Sequence, residues 1–181
     1  MDSKATLLIV EDEDVLLGGL QFRYGHRYKV VTARNVKRAE GVIAANGGDI
    51  KAAVVDLWMP LKDNEPIDEC AGLKLISAMR GSESVKGIAP SVPVIILTGK
   101  SDVSSAREGM RLGAQAYVIK RADGKLDMLD RQITYAVQLG RAMDVLKLVD
   151  PNTFQLREGI SEAGLDLLAE MLNDLRQQFG M

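Results

Sequence analysis

Short apolar runs recur along the chain: Leu7 to Val10, Ala52 to Val55, Val94 to Leu97 and Ala116 to Ile119. Each is too brief for a helix and carries β-branched residues, the pattern of strands buried on both faces. Tyr28 to Thr32 is a fifth, weaker candidate, shorter in its apolar part and flanked by basic residues. Segments with helical spacing lie between these runs. Val15, Leu16, Gly19, Leu20 and Arg23 outline a first helix, and Val36, Ala39, Val42 and Ile43 a second. Leu73 to Met79 and Val103 to Leu112 follow as third and fourth. Strict alternation of strand and helix predicts an α/β fold, a doubly wound parallel sheet covered by helices on both sides.

The last helical pattern is longer. From Leu126, the positions Leu129, Ile133, Ala136, Gly140 and Met143 recur at steps of three and four, and the pattern extends to Val149 before Asp150-Pro151 stops it. A helix of that span is roughly 35 Å long at about 1.5 Å per residue, more than one α/β layer needs, so its second half is expected to leave the sheet. After Pro151, a second apolar stripe runs through Ile160, Gly164, Leu167, Leu168, Met171, Leu175 and Phe179. It fits either a helix folded back as a hairpin or a dimerisation or partner-docking element, since a two-helix hairpin alone buries little. Between the second strand run and the third helix, Leu61 to Ala71 is polar, with Asp63, Glu65, Pro66, Asp68 and Glu69. A solvated acidic surface loop is expected there.

Composition narrows the function classes. At 46% hydrophobic and 27% charged over 181 residues, an ordinary core can form. The 23 Lys+Arg nearly balance the 25 Asp+Glu, which leaves no basic field to hold a nucleic-acid backbone. With Cys70 and His26 each alone of its kind, no intramolecular disulfide and no Cys/His metal cluster can be assembled, and protease-type nucleophilic chemistry would rest on His26 alone. Surface or packing positions are expected for both. Acidic residues 11–14 directly follow the opening apolar stretch, the wrong order for a signal peptide, and no apolar run approaches the ~18 residues of a membrane span. A cytoplasmic location is expected.

Chemistry enters at the strand ends. The four strong runs are followed or closed by Glu11-Asp12, Asp56, Thr98 and Lys120. In a parallel doubly wound sheet these carboxyl-terminal ends share one edge, where such folds place their sites. Three clustered carboxylates repel one another unless a cation neutralises them, and oxygen ligands favour a hard ion such as magnesium. A divalent cation lowers the cost of bringing a phosphoryl group to Asp56, Lys120 can neutralise another of its oxygens, and Thr98 has the size to hydrogen-bond a third. Asp56 then reads as a nucleophile that accepts phosphoryl to give an acyl phosphate. Alone, an Asp after a strand is more often a helix cap; the ordered set of four points to phosphoryl chemistry.

The segments Leu7 to Glu13 (LLIVEDE), Val54 to Pro60 (VVDLWMP), Ile95 to Gly99 (IILTG) and Gly113 to Lys120 (GAQAYVIK) resemble the receiver domain of two-component response regulators, the CheY-like family. The resemblance covers about residues 4 to 139, leaving 140 to 181 as an extended helix plus C-terminal helix, a candidate dimerisation or output element. It implies a five-stranded parallel sheet in the order 2-1-3-4-5, the flavodoxin/CheY-like arrangement. It also implies that Asp56 is the phosphoacceptor, served by a histidine kinase or histidine phosphotransfer protein in a magnesium-dependent reaction. Asp12 matches the direct metal ligand, Glu11 the more distant acidic residue, and Trp58 the residue whose backbone carbonyl completes the protein's share of ligands. Thr98 and Lys120 match the pair that senses the phosphoryl group, and Tyr117 the aromatic switch that moves with Thr98. Such coupling shifts a two-state population rather than creating a new fold.

Two positions depart from the family pattern. Arg121 stands where Pro commonly follows the Lys, and Gly72 lies far beyond Met59-Pro60, which makes the acidic loop an insertion near the metal edge. Competing functions are less well supported. Too few residues follow Val149 for an ordinary DNA-binding effector, and from Lys125 onward six Lys/Arg face nine Asp/Glu. An aspartyl-phosphate hydrolase of the haloacid-dehalogenase type wants a second Asp where Trp58 stands. The expectation is a phosphoacceptor with at most slow self-phosphorylation and self-dephosphorylation. The alternatives are a phosphate relay or dimerisation scaffold, or the N-terminal fragment of a larger, for example DNA-binding, regulator.

Overall fold

The structure, a computed structural model, describes residues 4–81, 91–99, 103–120, 126–148, 150, 156, 160–162, 164–166 and 168–169. In chain order its elements are β1 (Thr6–Val10), α1 (Asp14–Gly25), β2 (Lys29–Ala33), α2 (Val36–Asn46), β3 (Ile50–Val55), β4 (Met59–Pro60) and β5 (Ile67–Asp68). They continue with α3 (Ala71–Arg80), β6 (Val94–Thr98), α4 (Val103–Arg111), β7 (Ala116–Ile119) and α5 (Asp127–Leu146). Five strands form one parallel sheet in the order β2-β1-β3-β6-β7. Counted among the sheet's own strands this is the expected order 2-1-3-4-5. Among the described residues no helix is long and apolar enough to cross a membrane.

Alternation along the strands divides the core into two layers. Leu8, Val10, Ala53, Val55, Val94 and Ile96 face α2 and α3, where Ala39, Ile43, Leu75, Ile76 and Met79 cover them. Leu7, Ile9, Ala52, Val54, Ile95, Leu97 and Val118 face the opposite layer, closed by Leu17, Leu20 and Tyr24 of α1 and by Leu129, Ile133, Ala136 and Val137 of α5. Each fully buried Leu, Ile or Val contributes about 1.5–3 kcal/mol by leaving water, so the continuous apolar runs are the main stabilising feature of the sheet.

The face that α1 buries is turned from the one its spacing predicts, which holds for Leu20, buried, and Leu16, packed on the core. Val15 is 83% exposed, Gly19 is exposed as well, and the residues turned inward are Leu17, Leu20 and Tyr24. This helix is apolar on two sides: Leu17, Leu20 and Tyr24 are spaced as one stripe, while Val15 and Phe22, seven residues apart, share the other. Tyr24 decides which is buried. Its hydroxyl donates to Asp130 Oδ1 on α5 at 2.7 Å, and Arg23 Nε donates to the same oxygen at 2.9 Å, tying the two helices of that layer.

The expected acidic loop is also more ordered than a plain loop. Met59 pairs with Asp68 and Pro60 with Ile67 in a short antiparallel ladder, with Asn64 turning the chain at φ 63°. Asp68 then accepts from the Cys70 N–H and pairs with Lys74 at the start of α3. Cys70 and His26 are both exposed.

The last helix ends at Leu146, short of Val149, which lies outside the described residues. It crosses β3 at close range: a Cβ on Gly140 would lie 1.9 Å from the Lys51 carbonyl oxygen. Beyond that crossing, Lys51 Nζ reaches Asp144 Oδ2 at 2.6 Å. Further on, Gly164 is buried, and a Cβ there would come within 3.5 Å of Leu148 Cδ2, so Gly164 lies against the residue just beyond α5. Leu167 and residues 170–181, which carry most of the expected second stripe, lie outside the described residues.

Two outcomes follow for stability. Gly140→Ala is expected to lose about 1–3 kcal/mol in urea or thermal unfolding because the new methyl must push α5 off β3. Gly41→Ala on α2, which meets nothing within 4 Å, is expected to gain roughly 0.5–1 kcal/mol. A third outcome concerns acid. The hydrogen bond from Arg23 holds the Asp130 carboxyl below the usual carboxylate range, with Tyr24 helping and partial burial opposing. That contribution is present above the unfolded carboxyl's pKa and disappears as pH falls through the lower folded value. Asp130→Asn should therefore cost about 1 kcal/mol at neutral pH, the scale of one hydrogen bond from a buried hydroxyl. Its deficit relative to the parent should shrink in unfolding curves taken below about pH 4.

Candidate functional site

Register brings the chemistry together. Val10 is level with both Ala33 and Val55, Val55 is level with Ile96, and Thr98 is level with Ile119. Glu11 and Asp12 thus leave the sheet beside Asp56, while Thr98 and Lys120 close the two strands on its other side. Asp56 N–H donates to the Val10 carbonyl at 2.9 Å, extending the β1–β3 ladder to the acidic residue itself. The Lys120 N–H donates to the Thr98 carbonyl at 2.7 Å and does the same for β6 and β7.

The side chains meet above that edge. Lys120 Nζ donates to Asp56 Oδ2 at 2.7 Å and to Glu11 Oε1 at 3.0 Å, and it lies 2.8 Å from Glu11 Oε2. The other Asp56 oxygen accepts from the Leu57 N–H at 2.6 Å and, at longer range, from the Trp58 N–H at 3.4 Å. Glu11 and Asp56 are buried and Asp12 half-buried, and one carboxylate oxygen from each of the three lies within 4.8 Å of the others. Thr98 is buried in the last position of β6. Tyr117 is half-buried in β7 against the α2–α3 core layer, the layer that Trp58 also packs on. Arg121 lies outside the described residues.

Burial raises the Glu11 carboxyl to about 7, against the lowering effect of the Lys120 hydrogen bond and with the neighbouring Asp56 adding to the rise. Burial also pushes Asp12 up, opposed by its own backbone N–H. At Lys120 burial works against the ammonium, and its hydrogen bonds to Asp56 and Glu11 outweigh that, so its pKa is raised. Two carboxylates at about 4.8 Å repel by roughly 3 kcal/mol at an effective dielectric of ~20. One ammonium therefore cannot balance three acids. The donor set is all oxygen, and among the described residues the buried Glu11 Oε2 has no hydrogen-bond donor of adequate geometry. These features fit a small hard cation such as magnesium, which would relieve the same cost that raises Glu11.

One contributor was not visible as such in the sequence. A Cβ on Gly72 would lie 2.1 Å from the Asp56 carbonyl oxygen, and the Gly72 N–H donates to the Leu57 carbonyl at 3.0 Å. The glycine at the start of α3 lets that helix press on the backbone that presents Asp56. Its sequence signal was its departure from the family's short spacing after Met59-Pro60, which marks the insertion but not this backbone contact.

The family model described as the response regulator receiver domain matches residues 7–131. Among curated proteins, the chain is 31% identical over 134 residues to the regulatory protein AtoC of Escherichia coli, a match covering 74% of this chain and 25% of AtoC. It is 32% identical over 119 residues to the acid tolerance regulatory protein ActR of Rhizobium meliloti, covering 65% of this chain and 53% of ActR. The chain spans between 25% and 53% of the length of the curated relatives it matches. A solved receiver domain protein from Clostridium thermocellum shares the fold, with a TM-score of 0.62 and 24% identity over 77% of this chain and 98% of its own. The chain belongs to the response regulator receiver domain family.

Proposed function

We propose that Asp56 accepts a phosphoryl group from a phosphohistidine on a histidine kinase or phosphotransfer protein, in a magnesium-dependent reaction. The observation that carries this reading is the Lys120 ammonium seated on Asp56 and Glu11 beside a three-carboxylate cluster. In the transfer, an Asp56 carboxylate oxygen attacks phosphorus, the P–N bond of the phosphohistidine breaks, and the departing imidazole takes up a proton. Asp12, Asp56 and the Trp58 carbonyl would hold the cation, with Glu11 supporting it from behind. When bound, the cation supplies positive charge to the transferring oxygens. Lys120 pairs with a phosphoryl oxygen, and the Thr98 hydroxyl hydrogen-bonds another.

The same residues make the switch. Thr98 turning toward the phosphoryl group leaves room that Tyr117 fills, so the two-state equilibrium shifts by the difference in these contacts. The receiver segment thus acts as a phosphoacceptor, with slow self-phosphorylation from small donors and slow loss of its own phosphoryl group as its expected turnover. Exposed Leu146, Leu156 and Leu165 favour residues 140 to 181 as the output or dimerisation element. A second reading, the receiver portion of a larger regulator, takes support from the greater length of relatives such as AtoC and ActR.

Trp58 stands two residues from Asp56 and is the chain's single tryptophan, so its fluorescence reports on the site. It is expected to change on adding magnesium and again on adding beryllofluoride. Asp56→Asn should abolish the second response and weaken magnesium at least about tenfold. An unaltered beryllofluoride response in Asp56→Asn would sink the assignment.

A further inference from the structure

The end of β2, the turn after it and the first turn of α2, residues 33–38, hold none of the proposed chemistry, yet both acidic loops are tied to them. On one side the Glu11 N–H donates to the Ala33 carbonyl at 3.0 Å, and Arg34 Nη1 pairs with Asp14 at 2.9 Å where α1 begins. On the other side the Lys37 N–H donates to the Leu61 carbonyl at 2.9 Å. Asp63 Oδ1 accepts from Asn35 Nδ2 and from Arg38 Nε, each at 2.8 Å. Leu61 and Asp63 belong to the inserted hairpin, which continues directly from Asp56, Leu57 and Trp58 through the Met59–Asp68 pair.

Asn35 joins the two sides. It is 3% exposed, and its amide is used at both ends: Oδ1 caps α2 by accepting from the Arg38 N–H at 2.8 Å, while Nδ2 donates to Asp63. The Arg38–Asp63 ion pair is largely exposed and worth little by itself. A buried amide whose donor loses its partner is costly, so the Asn35–Asp63 bond is the stronger constraint. The negative charge of Asp63 and the Leu61 carbonyl also sit favourably at the free N–H groups of the α2 start.

We propose that Asn35 and Asp63 are positioning residues for the cation site. Their bond holds the chain that follows Asp56 against the same connection that holds Glu11, and so sets the spacing between the Trp58 carbonyl and the Glu11-Asp12 side. The insertion thereby acts as a clamp on the phosphoacceptor loop. The inference rests on the reading of Asp12, Asp56 and Trp58 as cation-binding.

The test uses the full chain. Asn35→Asp keeps an acceptor for the Arg38 N–H but removes the donor to Asp63 and sets two carboxylates face to face. The exchanged pair Asn35→Asp with Asp63→Asn restores a donor and an acceptor. Asp63→Ala, at an exposed position, breaks the bond without touching the cap. In metal-free protein, amide hydrogen exchange at Lys37 and at Leu57, Trp58, Met59 and Leu61 is expected to speed up in both single variants and to return toward the parent rate in the exchanged pair. The magnesium dissociation constant, read from Trp58 fluorescence, is expected to rise about tenfold in the single variants and to return within about twofold in the pair. Parent-like exchange and magnesium affinity in both single variants would overturn the proposal, as would a loosening that the exchanged pair fails to repair. A parent protein with no magnesium response at all would instead refute the cation reading itself, and this inference with it.

Discussion

The Lys120 ammonium reaches Asp56 and Glu11, two buried acids that leave neighbouring strands. Lys120 itself follows an edge strand two places away from β3. Three separate ladders must be in register for this contact to form, because a slip of one residue in any strand turns its side chains to the other face. The contact is also electrostatically necessary. A buried carboxylate without a partner costs several kcal/mol, and here a second and third acid crowd the first. The ammonium makes the cluster tolerable, and a divalent cation, as proposed, would complete its neutralisation.

Rigid backbone contacts keep that arrangement narrow. Gly72 lets α3 press on the Asp56 carbonyl, Gly140 lets α5 cross against Lys51, and the Tyr24–Asp130 bond ties α1 to α5. The site is therefore held by groups that do no chemistry themselves, the condition for preorganised charge stabilisation. A phosphoryl group arriving on Asp56 would redistribute Lys120 and Thr98 within a frame that stays in place. Signalling of this kind needs only a shift between two packings.

Much of this was legible in the chain. Runs buried on both faces, such as Leu7 to Val10, leave little ambiguity in a parallel sheet, and the polar residue closing each run marks the site edge. Less was legible where the local pattern supports two answers. On α1 both Val15 and Leu17 are apolar, and the buried face is the one whose Tyr24 hydroxyl bonds the distant Asp130. The hairpin at Met59 to Asp68 was hidden because two-residue strands carry no periodicity and its charges read as solvent-facing. Asn35 escaped notice for a related reason: its helix-capping role is local, while its partner Asp63 is 28 residues away.

On the proposed function, Asp56 becomes an acyl phosphate within this pocket. An acyl phosphate on an aspartate is reduced by borohydride to homoserine, which peptide mass mapping locates. After treatment of the protein with magnesium and a small phosphoryl donor such as acetyl phosphate, homoserine is expected at position 56 and at no other aspartate, and it should vanish when magnesium is chelated beforehand. Homoserine at another position, or none at position 56 under conditions where the protein binds magnesium, would contradict the account.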